Sequence, residues 1–227
     1  MNSLNRIVQV AGISDQATAS MLLECGIKFL GFPLRIEEDT DCIPDEKARE
    51  IVGTLPVDAV PVLITGLTGA EETALFCDYL GVKGVQVHSD MPVHEFELLR
   101  EIRPELLITK SLVIGKHDFD RTLEEMDLFS PSADLFITDT YDPRTGRCGA
   151  TGITHDWRLS RKIAELSPRP VILAGGLTPS NVREAINAVR PAGVDAHTGL
   201  DTKGRKDPRL VRAFVMEARR GFDDIGL

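Results

Sequence analysis

Short apolar runs alternate with segments whose apolar residues recur every three or four positions, and the alternation continues almost without a break from Ile7 to Arg219. The runs predict β-strands at residues 7–11, 29–33, 59–65, 84–88, 106–113, 135–139, 171–174 and 193–196. The amphipathic segments predict helices at 15–25, 45–54, 70–80, 93–102, 118–126, 157–166, 179–189 and 208–219. Ser14-Asp15, Pro44-Asp45, Thr178-Pro179 and Asp207-Pro208 each place a capping residue, a first-turn proline or both at a helix start. Strands that are apolar on both faces, each followed by a helix, predict an α/β fold closed as a (β/α)8 TIM barrel. An open doubly wound sheet would usually stop at about five or six strands. The 227 residues suffice for one such domain, spanning 1–227.

The pattern breaks most informatively within residues 170–207, PVILAGGLTPSNVREAINAVRPAGVDAHTGLDTKGRKD. One apolar run ends at Gly175-Gly176 and the next at Thr198-Gly199. Glycine after a buried strand lets backbone N–H groups approach a ligand, and a helix start behind it carries partial positive charge. Gly175, Gly176, Thr198 and Gly199 are therefore the candidate phosphate-binding residues. Two such turns near the end of the chain fit the phosphate site that barrels commonly build after strands seven and eight. The longest irregular stretch, residues 140–156, has the length of an active-site lid on the same face, and its Arg144 and Arg147 are either lid cations for an anion or solvated loop residues.

Composition narrows the partners. A formal charge of −9 disfavours nonspecific binding to nucleic acid or anionic lipid, while local donors can still hold a phosphorylated small molecule. No stretch approaches the ~18 apolar residues of a membrane span, and the first residues make a poor secretory signal, so a cytoplasmic protein is expected. Cys25, Cys42, Cys77 and Cys148 lack CxxC spacing, which argues against zinc and against a disulfide framework. No metal and no cofactor is expected. A monomer and a homodimer both fit.

In a barrel, residues at the C-terminal strand ends converge on one mouth. Here they supply Ala11-Gly12 with Ser14, Arg35, Thr65, His88, Lys110, Asp139, the glycine pair, Asp195 and His197. Asp139 ends an apolar run and is the candidate acid. Lys110, inside LLITKSLVI, either faces the mouth or pairs with an acid such as Asp139. His88 is a candidate substrate contact or a packing residue, and Asp195 a further substrate contact.

The segments VQVAGISD, GVQVHSD, LFITDT, GATGITHDW, ILAGGLTPSNV and GVDAHTGLDTKGRKD resemble, in order and spacing, the motifs of the phosphoribosylanthranilate isomerase family over nearly the whole chain. The resemblance implies an Amadori rearrangement of a phosphorylated aminoaldose to an aminoketose in tryptophan biosynthesis, without metal or organic cofactor. It implies a general acid at Asp139 and a phosphate site after strands seven and eight. The family's general base is a cysteine at the end of strand one, and that position is Ala11. The family's carboxylate-binding arginine follows strand two, where this chain reads PLRIEEDTDCIPDE, with Arg35 earlier and a run of acids after it. Its glycine-threonine-glycine motif is Gly149-Ala150-Thr151-Gly152, with Ile153 where a lysine is common, and its final serine pair is His197-Thr198.

Three readings follow. The first is an isomerase of a phosphorylated sugar or aminosugar in which Ser14, His197 or Lys110 replaces the missing base. The second is a paralogue that binds a phosphorylated metabolite without turning it over. The third is a Schiff-base aldolase-type enzyme using Lys110.

Overall fold

The structure is a computed structural model that describes residues 4–36, 43–141, 143–146 and 154–227. Eight parallel strands close into one barrel: β1 (Ile7–Ala11), β2 (Phe29–Leu34), β3 (Val60–Thr65), β4 (Gly84–Val87), β5 (Leu107–Ile114), β6 (Leu135–Thr140), β7 (Val171–Leu173) and β8 (Gly193–Ala196). Closure is made by β1 against β8, where Gln9 is level with Asp195. Helices follow the strands in turn: α1 (Gln16–Glu24), α2 (Asp45–Gly53), α3 (Ala70–Leu80), α4 (Val93–Ile102), α5 (Phe119–Phe129), α6 (Trp157–Leu166), α7 (Val182–Val189) and α8 (Pro208–Asp224).

Side chains of a strand alternate between its faces, so each strand feeds two cores. The larger lies between sheet and helices and includes Val10, Leu30, Leu63, Val85, Ile108, Leu112, Phe136 and Val194. The smaller plugs the barrel floor with Ile7, Leu135, Ile137, Ile172 and Ala174. That plug makes the interior a packed core, open for chemistry only at the mouth.

The expected caps hold at two helix starts. Asp15 accepts from the Thr18 N–H at 2.7 Å, and Asp207 accepts from the Arg209 N–H at 2.8 Å with Pro208 in the first turn. The start expected at Thr178-Pro179 does not hold, because residues 178–181 form a turn instead. In it the Asn181 Oδ1 accepts from the Thr178 N–H at 2.8 Å and its Nδ2 donates to the Gly176 carbonyl at 3.0 Å. Helix α7 therefore begins at Val182. Also unanticipated is a small hairpin, β9 (Asp201–Thr202) with β10 (Arg205–Lys206), turned by Lys203-Gly204 with both φ angles positive. Cys77 is buried and its thiol is pushed up to about 12 by that burial, which makes it an inert packing residue. No helix among the described residues is long and apolar enough to cross a membrane.

Candidate active site

Above the apolar plug the barrel interior turns polar. Gln9, Gln86, Ser111 and Asp195 are buried and share the inward parity of Ala11, His88 and Asp139. The Gln9 Nε2 donates to the Gln86 Oε1 at 3.1 Å, and the Gln86 Nε2 donates to the Ser111 Oγ at 3.3 Å. That hydroxyl is also 3.3 Å from the His88 Nδ1, which lies 4.0 Å from the Asp139 Oδ2. A chain of polar groups thus runs from β1 through β4 and β5 to the carboxylate of β6. From Gln9 to His88 each member is within hydrogen-bonding distance of the next.

Asp139 sits at the head of this chain with its side chain 13% exposed. Burial raises its pKa; the neighbouring His88 and the Thr140 N–H, which donates to Oδ1 at 2.8 Å, pull the other way. Asp195 is pushed up to about 7, by burial first and by the charge of Asp139 second. Its Oδ1 has no hydrogen-bond partner. Burial thus pushes both interior carboxyls in the same direction, toward the protonated form.

Ala11, 5% exposed, faces the same interior beside Gly31. The imidazole of His197 packs over Gly12, where any side-chain carbon would collide with its Nε2. The sequence places His197 beyond β8, and the structure brings it against the end of β1. Lys206, its side chain only 3% exposed, donates to the His197 carbonyl at 3.2 Å and to Asp201 at 2.7 Å, anchoring the β8 loop.

The two glycine turns lie against each other. Gly175 has φ +97°, and a Cβ there would run into the Thr140 Oγ1. Gly199 has its corresponding space filled by the Leu177 carbonyl. Thr198–Leu200 forms a short 3-10 turn closed by the Leu200 N–H onto the His197 carbonyl. Beneath Gly175, His155 bridges the Thr140 Oγ1 at 2.8 Å and the Ser160 Oγ at 2.5 Å. Burial depresses its pKa to about 4, so the ring is neutral and serves as a hydrogen-bonding strut.

Two of the expected site residues lie away from the mouth. Lys110 has the parity of Ile108 and Leu112 and leaves the barrel outward. Its Nζ pairs with Glu125 at 3.2 Å, donates to the Ser89 carbonyl at 3.1 Å and lies over the Phe129 ring. A lysine so satisfied in the helix layer is neither the base nor a Schiff-base nucleophile of the mouth. Arg35 also turns away, stacking on Phe76 at 3.7 Å and pairing with Asp45 and Glu72 at 3.1 and 3.3 Å. In this arrangement its guanidinium is engaged by α2 and α3 rather than by the mouth. Arg144 is an exposed loop residue. Arg147, the Gly149–Gly152 motif, Ile153 and the acids at 37–41 lie outside the described residues. Sequence reading missed Gln9, Gln86, Ser111, His155 and Lys206. Strict alternation along each strand was the signal for the first three: counting back from His88 and across from Lys110 selects Gln86 and Ser111.

The closed (β/α)8 barrel with a buried carboxylate pair at its C-terminal mouth is the architecture of an enzyme of the barrel class. The profile described as "PRAI: N-(5'phosphoribosyl)anthranilate (PRA) isomerase" matches residues 43–217. N-(5'-phosphoribosyl)anthranilate isomerase 2 of Methanosarcina mazei is 41% identical over 218 residues, covering 95% of this chain and 95% of the relative. Among solved structures, N-(5'-phosphoribosyl)anthranilate isomerase from Pyrococcus furiosus superposes with a TM-score of 0.79 at 28% identity, covering 95% of this chain and 99% of that one. A phosphoribosyl anthranilate isomerase in complex with reduced 1-(o-carboxyphenylamino)-1-deoxyribulose 5-phosphate gives 0.77 at 26% identity, with coverage of 95% and 99%. The chain belongs to the phosphoribosylanthranilate isomerase family, and is an isomerase of the tryptophan pathway.

Proposed function

We propose that this chain converts N-(5'-phosphoribosyl)anthranilate to the corresponding 1-amino-1-deoxyribulose phosphate, with Asp139 as acid and His197 as base. The observation that carries the reading is Asp139: an acid at the mouth whose pKa is raised by burial, whose position is held by the Thr140 N–H and which lies 4.0 Å from His88. Protonated Asp139 gives its proton to the ribose ring oxygen as the C1–O bond breaks, and the nitrogen lone pair forms a C1–N double bond. A base then takes the C2 proton, the C–H electrons form a C1–C2 double bond, and the iminium becomes an enamine. Tautomerisation of that enolic enamine leaves a C2 ketone and a C1 methylene, so the atoms balance with no redox partner.

Ala11 cannot take a proton, and Lys110 faces the wrong layer. His197 stands beside the end of β1, and a ring nitrogen of its imidazole can accept a proton there. The turns at Gly175-Gly176 and Thr198-Gly199 would hold the phosphate through backbone N–H groups. Expression in a tryptophan auxotroph lacking this isomerase tests the reading. Growth that depends on Asp139 supports it, and failure of a well-expressed protein to restore growth contradicts it.

A further inference from the structure

Ser111 is 1% exposed, and its hydroxyl sits between two partners, Gln86 and His88. Their chemistry decides which way its hydrogen points. The Gln86 Oε1 accepts from the Gln9 Nε2 at 3.1 Å, so the end of that amide turned to Ser111 is the NH2 group. That group donates to the Ser111 Oγ at 3.3 Å and has no lone pair with which to accept. Among the described residues, the acceptor left for the Ser111 O–H is the His88 Nδ1, also at 3.3 Å. A buried hydroxyl hydrogen without an acceptor is costly, so Ser111 donates to Nδ1 and the neutral ring carries its hydrogen on Nε2.

That tautomer bears on Asp139, whose Oδ2 lies 4.0 Å from the same Nδ1. An imidazole is ordinarily a stronger base than a carboxylate, so a bare and unengaged Nδ1 at this distance would compete for the carboxyl proton. Transfer would leave an imidazolium beside a carboxylate, and a carboxylate has no proton to give a substrate. The Ser111 hydrogen bond occupies the Nδ1 lone pair, and a hydrogen bond made to the neutral form favours that form. Charges lining the cavity beyond the ring pair with one another, Asp90 with Lys116 at 3.1 Å and Glu125 with Lys110 at 3.2 Å. We propose that Ser111 is a positioning residue: by donating to the His88 Nδ1 it fixes the Nε2–H tautomer and keeps the acid's proton on Asp139. The consequence for turnover rests on the function proposed above, whereas the tautomer does not.

The test is ring-nitrogen NMR of the full chain labelled with 15N-histidine, at neutral pH, with His88→Gln assigning the His88 signals, alongside steady-state kinetics. Wild type is expected to show a bare Nδ1 and a protonated Nε2. In Ser111→Ala both nitrogens should carry hydrogen, and kcat should fall at least tenfold with KM within about twofold. Ser111→Thr retains a hydroxyl and should keep the wild-type ring spectrum, with kcat within about threefold. A wild-type His88 with its hydrogen on Nδ1 overturns the proposal whether or not the variants fold. So does a Ser111→Ala ring spectrum identical to wild type, or a protonated ring with kcat unchanged. A bare Nδ1 in a wild type that shows no turnover would sink the catalytic reading alone, and turnover with a protonated Nδ1 would sink the role of Ser111 alone.

Discussion

The imidazole of His197 fills the space over Gly12 that any side chain there would need, which sets a titratable ring next to Ala11 at the end of β1. General bases typically contribute about 10²–10⁴-fold, so His197→Asn should lower kcat at least a hundredfold. Ala11→Cys in that variant should restore at least tenfold, about 1.4 kcal/mol of barrier. Steady-state kinetics of the single and double variants check this. An unchanged kcat in His197→Asn would remove the ring from the reaction.

Asp139→Asn keeps the size of the side chain and removes its acidity. Turnover should fall about 10²–10⁴-fold while affinity for inorganic phosphate stays within about twofold, measured by calorimetry. Parallel loss of phosphate binding would assign Asp139 to holding the mouth together.

Gly175 carries φ +97° and has the Thr140 Oγ1 where a Cβ would go. Gly175→Ala should therefore cost about 1–3 kcal/mol of stability and displace the turn that is to hold the phosphate. A lower Tm together with at least tenfold weaker phosphate binding is expected. Tight phosphate binding by a destabilised variant would place the anion elsewhere.

Asp195 gives a pH dependence with a definite sign. Its folded pKa of about 7 lies above the unfolded value of 3.8, so between these the folded protein holds the extra proton and stability falls as pH rises. Asp195→Asn removes this titration. Relative to wild type, the variant should gain stability between pH 5 and pH 8, on the order of a few kcal/mol, read from urea unfolding at several pH values. A constant difference across that window would mean that Asp195 titrates alike in both states.

The barrel was legible because its strands are contiguous apolar runs and its helices have clear periodicity; β1, α3, α4, α6 and β8 carry the predicted bounds. Asp139, His88 and Asp195 were legible for a related reason, since polar residues inside apolar strands can be accommodated only at a mouth or in a network. Lys110 was misplaced because strand β5 is buried on both faces, so polarity alone could not tell its inward Thr109 and Ser111 from its outward lysine. Its partner Glu125 comes from α5, a contact that no local pattern encodes. Arg35 is similar: its acids lie on α2 and α3 and its ring on α3. The meeting of His197 with Gly12 depends on closure of β8 onto β1, at opposite ends of the sequence.

With alanine at the family's usual base position, this chain is expected still to perform the isomerisation. Incubating the purified full chain with N-(5'-phosphoribosyl)anthranilate and following formation of the aminoketose phosphate tests it most directly. Conversion that is lost in Asp139→Asn is expected. No conversion by a folded wild-type protein that nonetheless binds the reduced product analogue tightly would contradict it.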